Sequence, residues 1–216
     1  VSRPIKNFEY FTILSKYKIR NLNKNLMNHD SNILSRGTTI MAMVCSDGVL
    51  LAADSRATTG PYVAMRDMNK VTPITPYIYV CHSGSAADTE ALAHIVTYYT
   101  NHLAVYSNTN SRTPVEVVAQ VLRKFLQRNK EALQAQMIIA GVDDKGPSLY
   151  MLMQSGCAIQ RIFAADGSGT TYITSYCDQF FKPNMTVEEG RQFALKAINH
   201  ATIRDGYSGG PIKTVS

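Results

Sequence analysis

TTIMAMVCSDGVLLAADSRA (38–57) decides the fold. Its first part, TIMAMVCS (39–46), is a β-branched and apolar run. Asp47-Gly48 follows, a strong two-residue hairpin signal, and VLLAADSRA (49–57) returns as a second strand. Both runs are more apolar than alternating, so both of their faces must be covered. Beyond them the chain reads as strands at 70–74 and 77–84, with Pro76 between, then helices at 86–105 and 114–130. Leu92, Val96, Tyr99 and Leu103 recur at helical spacing. So do Val115, Val118, Leu122 and Phe125, with Pro114 suited to a first turn. Strands follow at 136–143, 148–154 and 157–165, then helical stretches at 169–180 and 187–204. Thr186 and Glu189 have the spacing of a capping box. Hairpins demand antiparallel pairing, and strands covered on both faces demand layers on both sides. The order strands, two helices, strands, two helices therefore predicts an α+β fold: a four-layer αββα sandwich of two antiparallel sheets flanked by helix pairs.

The 216 residues suit one domain with an appendage. Hydrophobic residues make up 45% and charged residues 18%, enough for a sizeable core. No apolar run is long enough for a membrane helix. The net charge of +6 is unevenly placed: residues 1–37 hold seven Lys/Arg against two acids, and 38–216 hold fifteen against fourteen. The body thus lacks the basic excess that nucleic-acid binding requires. Residues 1–37, Asn-rich and aperiodic over 21–32, read as an N-terminal extension, either a removable prosegment or a mobile arm. Residues 38–216 form the main domain. No charged region followed by an apolar run marks a secretory signal. Cys45, Cys81, Cys157 and Cys177 form no C-x-x-C pair and no metal-ligand spacing with the five histidines. They read as small core hydrophobes in a reducing compartment, with no metal and no cofactor.

Chemistry enters at Arg36-Gly37-Thr38-Thr39. Cleavage after Gly37 would give Thr38 a free α-amine beside its hydroxyl. An α-amine titrates near about 7.7–8.0, so it can serve as base for its own hydroxyl. Taken alone, the two threonines equally well just open a strand. The neighbourhood adds weight. The hairpin can return Asp54 to the level of Thr38, and Lys70 opens another strand, where a buried ammonium paired with Asp54 would lower the cost of proton transfer. A surface ion pair is the plain alternative. Gly84, in H-S-G-S, can offer a backbone N–H to an oxyanion. Arg204-Asp205-Gly206-Tyr207-Ser208-Gly209-Gly210 reads as a helix cap and loop, or as a hydrogen-bonding shell around a site.

From Gly37 onward the chain resembles a proteasome core-particle beta subunit, of the N-terminal-nucleophile hydrolase family. The motifs are G-T-T-I, L-A-A-D-S-R-A-T-T-G, N-K-V-T-P-I, C-H-S-G-S-A-A-D, D-G-S-G-T-T-Y-I and R-D-G-Y-S-G-G, and they cover essentially all of 37–210. T-T-I-M-A and S-G-S-A-A-D-T look most like catalytic type 1, the caspase-like class that cleaves after acidic residues. The resemblance implies a threonine endopeptidase acting on unfolded polypeptides inside a stacked ring of alpha and beta subunits. It further implies autocatalytic release of a propeptide, a part in ubiquitin-dependent degradation, and residence in cytoplasm and nucleus. It makes Thr38 the nucleophile and, with Gly37, the processing site. Asp54 and Lys70 tune it, Ser168, Asp205 and Ser208 support its amine and hydroxyl, and Gly84 and Thr58 meet the oxyanion and the substrate backbone. His82, Met68, Ala86 and Thr89 line the specificity pocket.

Three features depart from the family. His82 stands where type 1 members carry Arg, which implies a weaker preference for acidic residues, strengthening as pH falls. The chain stops at Ser216, where family members run on for another strand or two. If 1–37 stays attached, Thr38 lacks a basic amine and the chain is an inactive precursor. A noncatalytic ring subunit is the other alternative.

Overall fold

The computed structural model describes residues 37–107 and 112–216. Apart from Gly37, the extension expected over 1–37 lies outside them. The strands are β1 (Thr39–Val44), β2 (Val49–Ala53), β3 (Ala57–Thr59), β4 (Tyr62–Met65), β5 (Val71–Thr75), β6 (Ile78–Gly84), β7 (Ala135–Asp143), β8 (Gly146–Leu152), β9 (Ala158–Arg161), β10 (Phe163–Gly167) and β11 (Lys213–Val215). The helices are α1 (Ala86–Ser107), α2 (Val115–Arg128), α3 (Thr170–Phe180) and α4 (Val187–Arg204). One antiparallel sheet runs β10-β1-β2-β11 and the other β5-β6-β7-β8-β9, with β3-β4 a separate hairpin.

Each face of β1 and β2 meets a different layer, which is why these strands read as nearly continuous apolar runs. Ile40, Ala42, Leu51 and Ala53 point to the second sheet, against Val71, Cys81, Ile138 and Leu149. Met41, Met43, Leu50 and Ala52 point the other way, onto Ile173 of α3 and Phe193, Ala197 and Ile198 of α4. Leu92 and Val96 of α1 and Leu122 of α2 cover the far face of the second sheet against Val80, Met137 and Ile139. The result is the four-layer αββα sandwich. The capping box at Thr186 forms, its hydroxyl accepting from the Glu189 N–H.

Four local expectations change. The strand read over 157–165 is two strands in different sheets, β9 beside β8 and β10 beside β1. The chain crosses between the sheets at Ile162, which is 58% exposed. No Gly or Pro marks this corner, so the sequence carries no local signal for it. The second strand ends at Ala53 rather than running to Ala57, because Asp54 turns its carboxylate to backbone N–H groups on both sides. The C-terminal residues supply an edge strand, β11, through pairing with β2. All four cysteines are free thiols, but Cys157 is exposed and not a core residue. No described helix is long and apolar enough to cross a membrane.

Leu51 is fully enclosed between the sheets. Leu51→Ala is expected to destabilise the fold by about 2–5 kcal/mol, against about 1 kcal/mol for loss of the cap in Thr186→Ala. Denaturant unfolding of both variants checks this order.

Candidate functional site

Thr38 immediately precedes β1, and β1 lies between β10 and β2. The register sets Ile40 opposite Ala53, so Asp54 falls opposite Thr39. Asp54 is fully buried, and its carboxylate accepts four hydrogen bonds. Oδ1 receives the Thr39 N–H at 2.8 Å and the Lys70 ammonium at 2.6 Å. Oδ2 receives the N–H groups of Gly209 at 2.9 Å and Arg56 at 3.2 Å. One side chain thereby ties together β1, the start of β5 and the C-terminal loop.

Lys70 is 2% exposed. Burial pulls its ammonium below the usual lysine range, while the neighbouring Asp54 and Asp205 carboxylates work against that shift. Its Nζ also donates to the Gly37 carbonyl oxygen at 3.1 Å. The Thr38 hydroxyl donates to the same oxygen at 2.7 Å. The Gly37–Thr38 bond is intact here, so the Thr38 nitrogen is an amide. That N–H donates to Ser168 Oγ at 3.2 Å, and Ser168 donates in turn to Asp205 Oδ2 at 2.5 Å. Ser208 donates to the same Asp205 oxygen at 2.6 Å. The 2.6 Å contact between Thr39 and Ser208 is then a hydrogen bond given by Thr39.

Gly37 and Gly84 are among the glycines of the site that space requires. A Cβ on Gly37 would sit 1.9 Å from the Tyr207 carbonyl oxygen. Gly84 ends β6 at φ +106°, and a Cβ there would sit 2.3 Å from the Gln134 carbonyl oxygen. Gly84 and Thr38 border one pocket of about 280 Å³, together with Thr58, Met68, Lys70, His82, Ala86 and Thr89. Thr58 accepts the Gly37 N–H at 3.0 Å. Thr89 turns its hydroxyl to the Ser85 and Ala86 carbonyls at the start of its own helix. His82 is buried, 3.4 Å from the Thr72 hydroxyl. Burial and the positive charge of Lys70 lower its pKa to about 4. This changes the expectation of a pocket that charges as pH falls through the ordinary histidine range: His82 stays neutral there.

The residues singled out in the sequence therefore converge on Thr38 from five places in the chain. Sequence reasoning missed Thr39, whose hydroxyl closes the Ser208–Asp205 network, and Arg56, which donates to the Gly206 carbonyl at 3.0 Å and packs against Gly209. The T-T doublet was the available signal for the first; nothing local signals the second. Among the described residues, no three His, Cys, Asp or Glu side chains gather to hold a metal ion.

Residues 34–216 match the family described as proteasome subunit. The chain is 43% identical to proteasome subunit beta type-6 of Dictyostelium discoideum over 184 residues, covering 84% of this chain and 85% of that one. It is 42% identical to proteasome subunit beta type-1 of Saccharomyces cerevisiae, covering 84% of each. It is 40% identical to proteasome subunit beta type-9 of Bos taurus, covering 82% of this chain and 80% of that one.

A histidine whose pKa is about 4 folded and about 6.5 unfolded binds more protons in the unfolded chain between those values. Its contribution to stability is whole above about pH 6.5 and falls by up to about 3 kcal/mol as pH drops to about 4. His82→Gln is expected to flatten that part of the acid limb, read by denaturant unfolding from pH 7 to 4. The imidazole of the unsubstituted protein is expected to titrate in NMR well below pH 6.

Proposed function

The chain belongs to the proteasome subunit family, among its beta-type members, and on that premise we propose that it is a catalytic subunit, a threonine endopeptidase. One observation carries the reading: the Thr38 hydroxyl and the buried Lys70 ammonium both donate to the carbonyl oxygen of the Gly37–Thr38 bond. In the first reaction Thr38 Oγ1 bonds to the Gly37 carbonyl carbon and the C–N bond breaks. The hydroxyl proton ends on the departing nitrogen, which becomes the α-amine of Thr38. The Lys70 ammonium stabilises the negative charge that develops on the oxygen. Water then hydrolyses the ester, and residues 1–37 leave as a propeptide with a C-terminal carboxyl group.

The freed amine is the base for later cycles. Ser168 and Asp205 stand where they can hold it, and Ser208 and Thr39 fix Asp205 in turn. Thr38 Oγ1 attacks a substrate carbonyl while the amine takes its proton. The Gly84 N–H and Lys70 stabilise the charge formed, and the amine returns the proton to the leaving nitrogen. Water resolves the acyl-enzyme. Thr58 and Gly84 pair with the extended substrate backbone.

His82, Met68, Ala86 and Thr89 border the site of the residue before the cleaved bond. An acidic side chain there meets a neutral imidazole and an ammonium already paired with Asp54. Post-acidic cleavage, the preference that the resemblance to catalytic type 1 implies, is weakened here by His82. Its place is a stacked ring of alpha and beta subunits in cytoplasm and nucleus, degrading unfolded and ubiquitin-marked proteins.

Intact mass of the subunit from assembled particles is expected to give a start at Thr38. Thr38→Ala is expected to keep Gly37 attached and to lower this subunit's own share of peptide hydrolysis by at least about 10³-fold. A start upstream of Thr38 in assembled particles makes the chain a structural ring subunit or an unprocessed precursor. Relative cleavage after Glu and after Leu is expected to be flat from pH 8 to 6. His82→Arg is expected to raise the Glu/Leu ratio by about 10-fold, since a fixed guanidinium fork binds a carboxylate that a neutral ring does not.

A further inference from the structure

A second opening, of about 360 Å³, also has Thr38 in its wall. It is bordered by Ser83, Gly84, Gln136, Asp166, Gly167 and Ser168. His82 and Lys70 border only the first pocket, and Ser168 and Asp166 only the second. The following rests on the reaction proposed above. There the Thr38 nitrogen hands its proton to the leaving amine, and that nitrogen is held by Ser168 at 3.2 Å. The leaving amine therefore departs on the Ser168 side, into the second opening. The acyl part, with the side chain before the cleaved bond, fills the first.

Asp166 is the charged group of this second opening. It lies in β10 opposite Ile40 and is 9% exposed. Its donors are neutral. Ser83 gives its hydroxyl to Oδ2. The hydrogen-bond pattern assigns the Gln136 amide nitrogen, and not its oxygen, to the side that faces the carboxylate, 2.6 Å from Oδ1 and 2.7 Å from Oδ2. The Gly167 backbone N–H adds a third. None of the ion pairs among the described residues involves Asp166, whereas Asp54 has Lys70. Burial without a cation holds the Asp166 carboxyl above the usual range. A positive side chain entering the opening supplies the missing countercharge where little water competes.

We propose that the second opening is the subsite for the residue immediately after the cleaved bond, and that Asp166 makes it select lysine or arginine there. The two sides of Thr38 then read different charge: a neutral histidine before the bond and a carboxylate after it. Asp166 is a specificity residue in this scheme and takes no part in bond making.

The test uses assembled particles and quenched fluorescent peptides that differ only in the residue after the cleaved bond: lysine, arginine, leucine or glutamate. Particles carrying Thr38→Ala supply the background from other subunits. Lysine and arginine peptides are expected to exceed leucine in kcat/KM by about 3- to 10-fold and glutamate by more, as for a partly desolvated charge pair. Asp166→Asn is expected to bring the lysine-to-leucine ratio close to one. A ratio near one in the unsubstituted particle overturns the proposal, as does a ratio that Asp166→Asn leaves unchanged. Should Asp166→Asn particles not assemble, the lysine-to-glutamate ratio of the unsubstituted particle decides: above about 3 it supports the subsite, below that it overturns it. A peptide whose leaving group is a dye amine, with no residue after the bond, separates the two readings. Cleavage of it above the Thr38→Ala background, with no lysine preference in the panel, defeats the subsite alone. No cleavage above that background defeats the catalytic reading and the subsite with it.

Discussion

The site depends on one buried ion pair, Asp54 with Lys70 at 2.6 Å. Bringing both charges out of water costs more than a single contact returns unless the remaining lone pairs and protons are satisfied. Here they are. Asp54 takes three backbone N–H groups besides the ammonium, and Lys70 gives a further bond to the Gly37 carbonyl. These bonds come from four separate stretches of chain, so the pair fixes the start of β1, the end of β2, the start of β5 and the C-terminal loop together. Removing either partner would leave a charge buried without compensation, and the chain around Thr38 would lose its common anchor.

The pair can exist only because the two sheets stack face to face. Ile40, Ala42, Leu51 and Ala53 close against Val71, Cys81 and Ile138 and exclude water from the edge where Lys70 enters. The helices on the outer face of the first sheet hold the same strands from behind. Hydrophobic layering is thus what makes the electrostatics of the site strong: the same separation in water would contribute little. Layering also makes His82 unlike an ordinary histidine, since the dry pocket and the adjacent ammonium both disfavour its charged form.

Much of this was legible in the residues. Apolar runs on either side of Asp47-Gly48 forced a hairpin with both faces covered, and that hairpin brings Asp54 level with Thr39 by register alone. Amphipathic spacing located α1 and α2 to within a few residues, and the capping box at Thr186 marked the start of α4. What stayed hidden depends on distant neighbours. The crossing at Ile162 has no breaker residue, because the two sheets beside it, and not local preference, decide where the strand divides. The pH behaviour of His82 needs its depth and its distance from a lysine twelve residues away. Nothing in the sequence singles out Asp166, and only the sheet register sets it in the wall of an opening shared with Thr38.

Thr39 is hydrogen-bonded on both sides, to β10 and toward Asp54 of the returning strand, and its hydroxyl is held as well. Chain ends usually fray, because nothing offsets the entropy of the last residues. A terminus created at Thr38 lies directly before a central strand, one residue from this anchor. It would keep the order of a core residue while gaining the chemistry of an end. An amine on a fluctuating tail would have to lose its freedom in every catalytic cycle; one delivered by a middle strand has lost it when the protein folds.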